Sequence, residues 1–375
     1  MNSPTDDMLR HAVRNLADEA RTPPDLVGEA LRRGRRLRRR RRAATSVGAV
    51  AVVVALAVPY LWLRPQPPAG QNPVAEPAVA PSAPASVPAS DVAAPPVTDW
   101  VGRPLAVPGG WVLAGATSTG TPAATGYALD RDGGRYLALD RYEEVWAAPN
   151  GHVAAVVDYE RRDEIGLLDL RTEQVRWVAT GSHVMTPQWS PDGDRLALTR
   201  LDKVSGDLTL GVLTSQGTYR TYPVDRQKYF CTDRCFFTWT RDGRHVVLQQ
   251  TDPDAVLSES RPAPRRGIQL FSPDDGRPGA FIPVPGDPAG PWSWSPDGRL
   301  VVIRGQDGPR IAEVATGRIV GPAMGDDDVW VNEGRLLHRD LGTNSILLID
   351  LEGRELARQS LPQALDHLTL TVGPV

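Results

Sequence analysis

Five times along this chain a tryptophan is followed by a short polar turn and then by a run of apolar residues. The copies read WAAPNGHVAAV from Trp146, WSPDGDRLAL from Trp189, WTRDGRHVVL from Trp239, WSPDGRLVVI from Trp294 and WVNEGRLLHR from Trp330. Four of them place glycine four residues after the tryptophan (Gly193, Gly243, Gly298, Gly334), and the first places it five after. Asp192, Asp242 and Asp297 stand directly before three of these glycines. An aspartate side chain bonds to nearby backbone and a glycine accepts positive φ, so each unit predicts a strand ending at tryptophan, a tight turn and a returning strand. The returning strand is apolar at consecutive positions rather than alternate ones, which predicts burial on both faces. Sheets that bury both faces against copies of themselves must stack.

A second hairpin follows each unit: IGLLDLRTEQVRWV from Ile165, LGVLTSQGTYRTYPV from Leu210, IQLFSPDDGRPGAFIPV from Ile268, RIAEVATGRIVGPA from Arg310 and ILLIDLEGRELARQSL from Ile346. A sixth, GYALDRDGGRYLAL from Gly126, precedes them all. Six outer hairpins with five inner turns predict an all-β, six-bladed β-propeller of four-stranded blades over residues 99–375, at about 46 residues per blade. Seven blades of about 40 residues fit the same range. The first blade lacks an inner turn. Val107–Thr119 (VPGGWVLAGATST) is expected to supply it with strand, and His367–Val372 (HLTLTV) to complete it and close the ring, because closure leaves no long exposed edge.

The W-S-P-D-G-x-x-[LV]-[AV] repeat resembles that of TolB-like, WD-repeat-like β-propellers of bacterial periplasmic and surface proteins, over roughly Trp100–Val375. The resemblance implies the fold and leaves the function open, since related propellers serve as docking platforms, as sensor domains and as gating domains of serine peptidases.

Residues ahead of the repeats have a different character. Nine of the eleven residues Arg32–Arg42 are arginine, and Ala43–Leu63 then runs 21 residues without a charge, the length that spans a hydrocarbon core. Arginine before the span and none clustered after it predicts residues 1–42 as a helical, basic cytoplasmic stub, 43–63 as a transmembrane helix and the remainder outside the cell. The stub resembles those of actinobacterial single-pass proteins, anti-sigma regulators among them, but lacks the cysteine of the zinc-binding anti-sigma signature. Residues 64–98 hold ten prolines and are expected to form a disordered Pro/Ala-rich tether. The basic run resembles a nucleic-acid patch in composition. Its place against the span assigns it instead to topology and anionic lipid, so no nucleic-acid partner is expected.

The chain carries no G-x-S-x-G, H-E-x-x-H, Walker A, G-x-G-x-x-G or EF-hand motif, and its S-P-D-G inner turns do not match the S-x-D-x-G aspartate box, so no catalytic, metal or cofactor residue is assigned. Interest falls where the repeat fails. His338, Arg339 and Asp340 replace apolar residues in the sixth blade's second strand; the strand either faces the central channel or a ligand, or frays at the closure. Cys231 and Cys235 are the only cysteines and, outside the cell, are expected to form a disulfide, a redox pair or half of a metal site being the alternatives. Tyr229, Phe230, Phe236 and Phe237 flank them, as packing under the loop or as an exposed contact surface. Asp326–Asp328 reads as a solvated loop, with calcium binding as its alternative. Trp292 is the one aromatic of its stretch that the repeat does not explain.

These features together predict a membrane-anchored propeller acting as a non-catalytic recognition or scaffold module for a protein, peptide or cell-wall ligand. The alternatives are a propeller enzyme of hydrolase, lactonase or cyclase type with its site in the channel, and a sensor signalling through the cytoplasmic stub.

Overall fold

Strand pairing in the computed structural model is antiparallel throughout. The structure describes residues 99–118, 124–202, 205–232, 235–256 and 262–375. The stub, span and tether expected over 1–42, 43–63 and 64–98 lie outside these residues, and no described helix is long and apolar enough to cross a membrane.

Blade 1 contains β1 (Ala106–Val107), β2 (Trp111–Thr117), β3 (Gly126–Asp130) and β4 (Arg135–Leu139). Blade 2 is β5 (Glu144–Ala147), β6 (Val153–Val157), β7 (Glu164–Asp169) and β8 (Val175–Ala179), and blade 3 is β9 (Met185–Trp189), β10 (Arg195–Leu201), β11 (Leu208–Thr214) and β12 (Tyr219–Val224). Blade 4 follows as β13 (Thr238–Trp239), β14 (Val246–Thr251), β15 (Arg265–Phe271) and β16 (Pro278–Ile282). Blade 5 has β17 (Leu300–Gly305), β18 (Gly308–Glu313) and β19 (Ile319–Pro322), and blade 6 has β20 (Val329–Asn332), β21 (Arg335–Asp340), β22 (Ser345–Asp350) and β23 (Glu355–Ser360). The last strand, β24 (Thr369–Pro374), pairs with β2 and becomes the innermost strand of blade 1. The chain therefore forms six blades rather than seven, and its C-terminal strand closes the ring as the sequence predicts.

The consecutive apolar residues of the second strands have a direct geometric cause. Side chains alternate across a strand, and each blade is covered by a neighbour on both faces. Ala154 and Val156 of β6 pack toward blade 1 while Ala155 packs toward blade 3. Val246 and Leu248 of β14 face blade 3 and Val247 faces blade 5; Val301 and Ile303 of β17 face blade 4 and Val302 faces blade 6. The buried apolar residues thus gather into six clusters, one at each blade interface, the one between blades 6 and 1 being built from Trp111, Leu113, Ile346 and Leu348 among others.

The turns follow the predicted chemistry in three blades. Asp192, Asp242 and Asp297 each accept hydrogen bonds from the hydroxyl two residues earlier and the amide two residues later, and Gly193, Gly243 and Gly298 sit at φ of 73°, 64° and 69°. Gly334 departs from the expectation: it is not left-handed, and its amide instead donates to the Asn332 side chain at 3.1 Å. Blade 5 departs further. Its innermost strand shrinks to a single bridge at Trp294, and a short 3-10 turn, Pro291–Ser293, replaces the rest, as a proline without an N–H permits.

Candidate functional site

Antiparallel order gives the two faces of the ring different jobs. The tryptophan turns and the outer hairpin turns lie on one face, here the turn face. The connections between second and third strands, and those between blades, lie on the other, the crossover face.

On the turn face the repeat residues stitch blades together. The Trp189 indole N–H donates to the Trp146 carbonyl at 2.7 Å and that of Trp239 to the Gln188 carbonyl at 2.8 Å. Trp146 turns its own N–H to Glu144. The Trp294 and Trp330 indole nitrogens are buried without an acceptor. Their carbonyls instead both accept from Nη1 of Arg241, at 3.0 and 2.9 Å. Arg241 stands where the other two W-[ST]-x-D-G turns carry Pro191 and Pro296. Its guanidinium also lies over the Trp292 ring, 5.2 Å from the centroid, and burial lowers its pKa from the ordinary value.

Trp292, which the repeat leaves unexplained, reaches from blade 5 across the axis and packs edge-on against Trp111 of blade 1 with ring centroids 5.0 Å apart. Trp111, Trp292 and Arg241 thus meet on the turn-face side of the central channel. Above them a cavity of about 220 Å³ is lined by Trp146, Gln188, Trp292, Asp327, Thr369 and Thr371 among others. A second cleft of about 350 Å³, between blades 6 and 1, shares Asp327, Val329, Thr369 and Leu370 with it and opens on the crossover face.

The three consecutive aspartates at this neck do not behave alike: the expectation of a solvated loop holds for the exposed Asp327 and fails for the buried Asp328. Asp326 pairs with Arg304 of blade 5. Asp328 is fully buried; Oδ2 accepts the amides of Met324 and Gly325, both at 3.0 Å, and Oδ1 lies 2.7 Å from Nδ1 of His338. Asp327 is solvent-exposed and opens onto the channel, with its own backbone amide as a donor and no side-chain hydrogen-bond or ion-pair partner among the described residues. Desolvation, followed by the like charges of Asp328 and Asp326, raises its pKa above the usual carboxylate value. Burial by itself would lower the His338 pKa, but the hydrogen bond and charge of Asp328, with Asp327 and Asp340 behind them, raise it overall.

The three residues singled out in β21 divide by side. The strand does not fray; it pairs with β22 along its whole length. His338 faces blade 5 and the cleft. Arg339 faces the other way and donates to Asn344, Ser345 and the Leu365 carbonyl. Asp340 accepts from Gly342 and Thr343 and lies near Arg358, which makes it a turn residue.

A second polar centre lies under the cysteine loop of the crossover face. Cys231 and Cys235 are bonded, with Cα atoms 5.8 Å apart. Tyr229 and Phe237 pack beneath them edge-on against Phe271. Thr232 bonds to Thr251, and Arg265 donates to Thr251 Oγ1 and, by two parallel bonds of 2.6 and 2.9 Å, to Asp287. Asp287 in turn exchanges backbone hydrogen bonds with Arg304, the partner of Asp326. Polar contacts therefore run from Thr232, beside the disulfide, through Thr251, Arg265 and Asp287 to the Arg304–Asp326 pair. Replacing both cysteines by serine is expected to cost about 2 kcal/mol, from the entropy of a small closed loop. Intact mass of the native protein with and without reductant checks the bond, and free thiols before reduction would refute it.

Sequence reasoning located His338, the cysteines and the Asp326–Asp328 run but missed Arg241, Arg265 and Asp287. Two signals were present: arginine in place of proline at 241, and an extra tryptophan at 292.

Fold and site together define a six-bladed β-propeller closed by its C-terminal strand, with a channel cavity that meets a cleft between blades 6 and 1. Solved structures similar to it include TolB from Acinetobacter baumannii (18% identity, TM-score 0.42, covering 65% of this chain and 62% of that one) and the β-propeller domain of the Trilobed protease from Pyrococcus furiosus (11%, TM-score 0.42, 67% and 81%). A third is the acylaminoacyl peptidase of Pyrococcus horikoshii (16%, TM-score 0.42, 62% and 41%). The match thus spans about three fifths of the TolB chain. No protein-family model and no curated protein matches the sequence.

Proposed function

We propose that the propeller is a recognition module, held outside the cell by the N-terminal membrane span, that binds a protein, peptide or cell-envelope ligand on its crossover face. One observation carries this reading. Tyr159, Val256, Met324 and Leu341 are large apolar side chains left exposed in the loops of the crossover face, Val256 at 91% and Leu341 at 61%. No inner or outer hairpin turn on the opposite face exposes one among the described residues. The turn face exposes Val375 at the end of the closing strand, but its turns are given to blade-to-blade stitching, whereas the crossover-face residues stand in loops where apolar side chains are free to make contacts.

The test is site-specific photocrosslinking of the full chain in cells. A probe at Leu341 or Met324 is expected to give a discrete adduct, whereas one at Arg244, an exposed residue of the turn face, is not. Equal labelling from both faces, or none from either, would overturn the proposal. An adduct with the turn face alone would also refute it.

A further inference from the structure

The channel has the makings of a ligand site in its own right, and what it would take follows from its charges. It is a cavity walled by Trp146 and Trp292, with the uncharged polar side chains of Gln188, Thr369 and Thr371 on its sides. The only carboxylate among its lining residues is Asp327, at the neck where the channel meets the outer cleft.

Its neighbours make Asp327 available. Arg304 answers Asp326 and His338 answers Asp328. Arg339, whose charge reaches Asp327, bonds to Asn344, Ser345 and Leu365 instead. A carboxylate held beside two others, with no basic side chain bonded to it, carries uncompensated negative charge at the neck. A cation with N–H donors relieves it.

The floor is different. Arg241 lies against Trp292 from below, so positive charge is disfavoured at the deep end while the aromatic walls favour apolar surface there. We propose that the channel binds a primary amine joined to an apolar group, with the ammonium on Asp327 at the neck and the apolar group on Trp292 and Trp146 below. Two sources share this chemistry: a free aliphatic or aryl amine, and the amino terminus of a peptide whose first side chain is apolar. This assignment rests on the crossover face being the recognition face, because the neck opens there.

The full-length protein in detergent is titrated with hexylamine, hexanol and hexanoate, and separately with Phe-Ala and N-acetyl-Phe-Ala, following tryptophan fluorescence and thermal shift. Hexylamine is expected to bind about tenfold or more tightly than hexanol, and hexanoate not at all. Preference for Phe-Ala over hexylamine, lost on acetylation, would assign the site to peptide termini; the reverse order would assign it to free amines. Asp327→Asn is expected to remove the amine preference while keeping the protein folded, since it takes an unfavourable charge out of the channel; Asp326→Asn, whose carboxylate is engaged by Arg304, should leave the preference in place. Equal binding of hexylamine and hexanol to the unaltered protein, or no binding of any probe, overturns the proposal without reference to any variant. Crosslinking from Leu341 in the absence of amine binding would leave the recognition face standing and remove only the channel ligand.

Discussion

Replacing Arg265 with alanine is expected to destabilise the propeller by about 3–5 kcal/mol, the usual penalty for leaving one member of a buried ion pair without the other. Both side chains are out of water, 3% and 8% exposed, and the guanidinium meets both carboxylate oxygens. Asp287 lies in the connection from blade 4 to blade 5 and is itself bridged to Arg304, so its stranded charge would loosen the crossover face across two blades. The double variant Arg265→Met, Asp287→Leu is expected to recover most of the loss, because two apolar residues of similar volume carry no desolvation cost. Urea denaturation of the single and double variants measures both. A cost below about 1 kcal/mol for Arg265→Ala would mean that the pair contributes no more than an exposed one.

His338→Ala is expected to cost about 2–4 kcal/mol, since it leaves Asp328 buried with only the Met324 and Gly325 amides as partners. The cost should depend on pH with a definite sign. The folded-state pKa of His338 is raised, so the imidazolium's contribution is complete below the ordinary histidine value of about 6.5 and is lost as pH rises through the folded value. The stability gap between the native protein and His338→Ala is therefore expected to narrow as pH rises above about 6.5, without closing, because a neutral imidazole still donates to Asp328. Denaturant midpoints across that range check it; a gap that widens with pH would show that His338 is neutral throughout.

Both predictions concern residues that the repeat does not mark, and that contrast defines what can be read from such a chain. Trp189, Asp192 and Gly193 announce a strand, a turn and its backbone conformation because each acts within a few residues of itself. The alternation of Val301, Val302 and Ile303 between two interfaces is legible for the same reason: a strand buried on both faces must be apolar at every position. Blade number followed from counting hairpins, and the role of β24 from the need to close an edge. His338 was noticeable only as polarity in a buried strand.

What Asp326, Asp327 and Asp328 do could not be read in this way. Three identical residues in a row have one salt bridge, one open carboxylate and one buried hydrogen-bonded carboxylate, and their partners come from blades 5 and 6. Trp292 is a channel floor only because Trp111 and Arg241 meet it, from 181 and 51 residues away in the chain. The sequence by itself determined the blade, its turns and the closure of the ring, since these depend on local backbone chemistry and the period of apolar residues. Only the tertiary structure decided which aromatic rings meet in the channel and which carboxylate is left open to it, because charges and aromatic rings acquire their roles from neighbours brought together by ring closure.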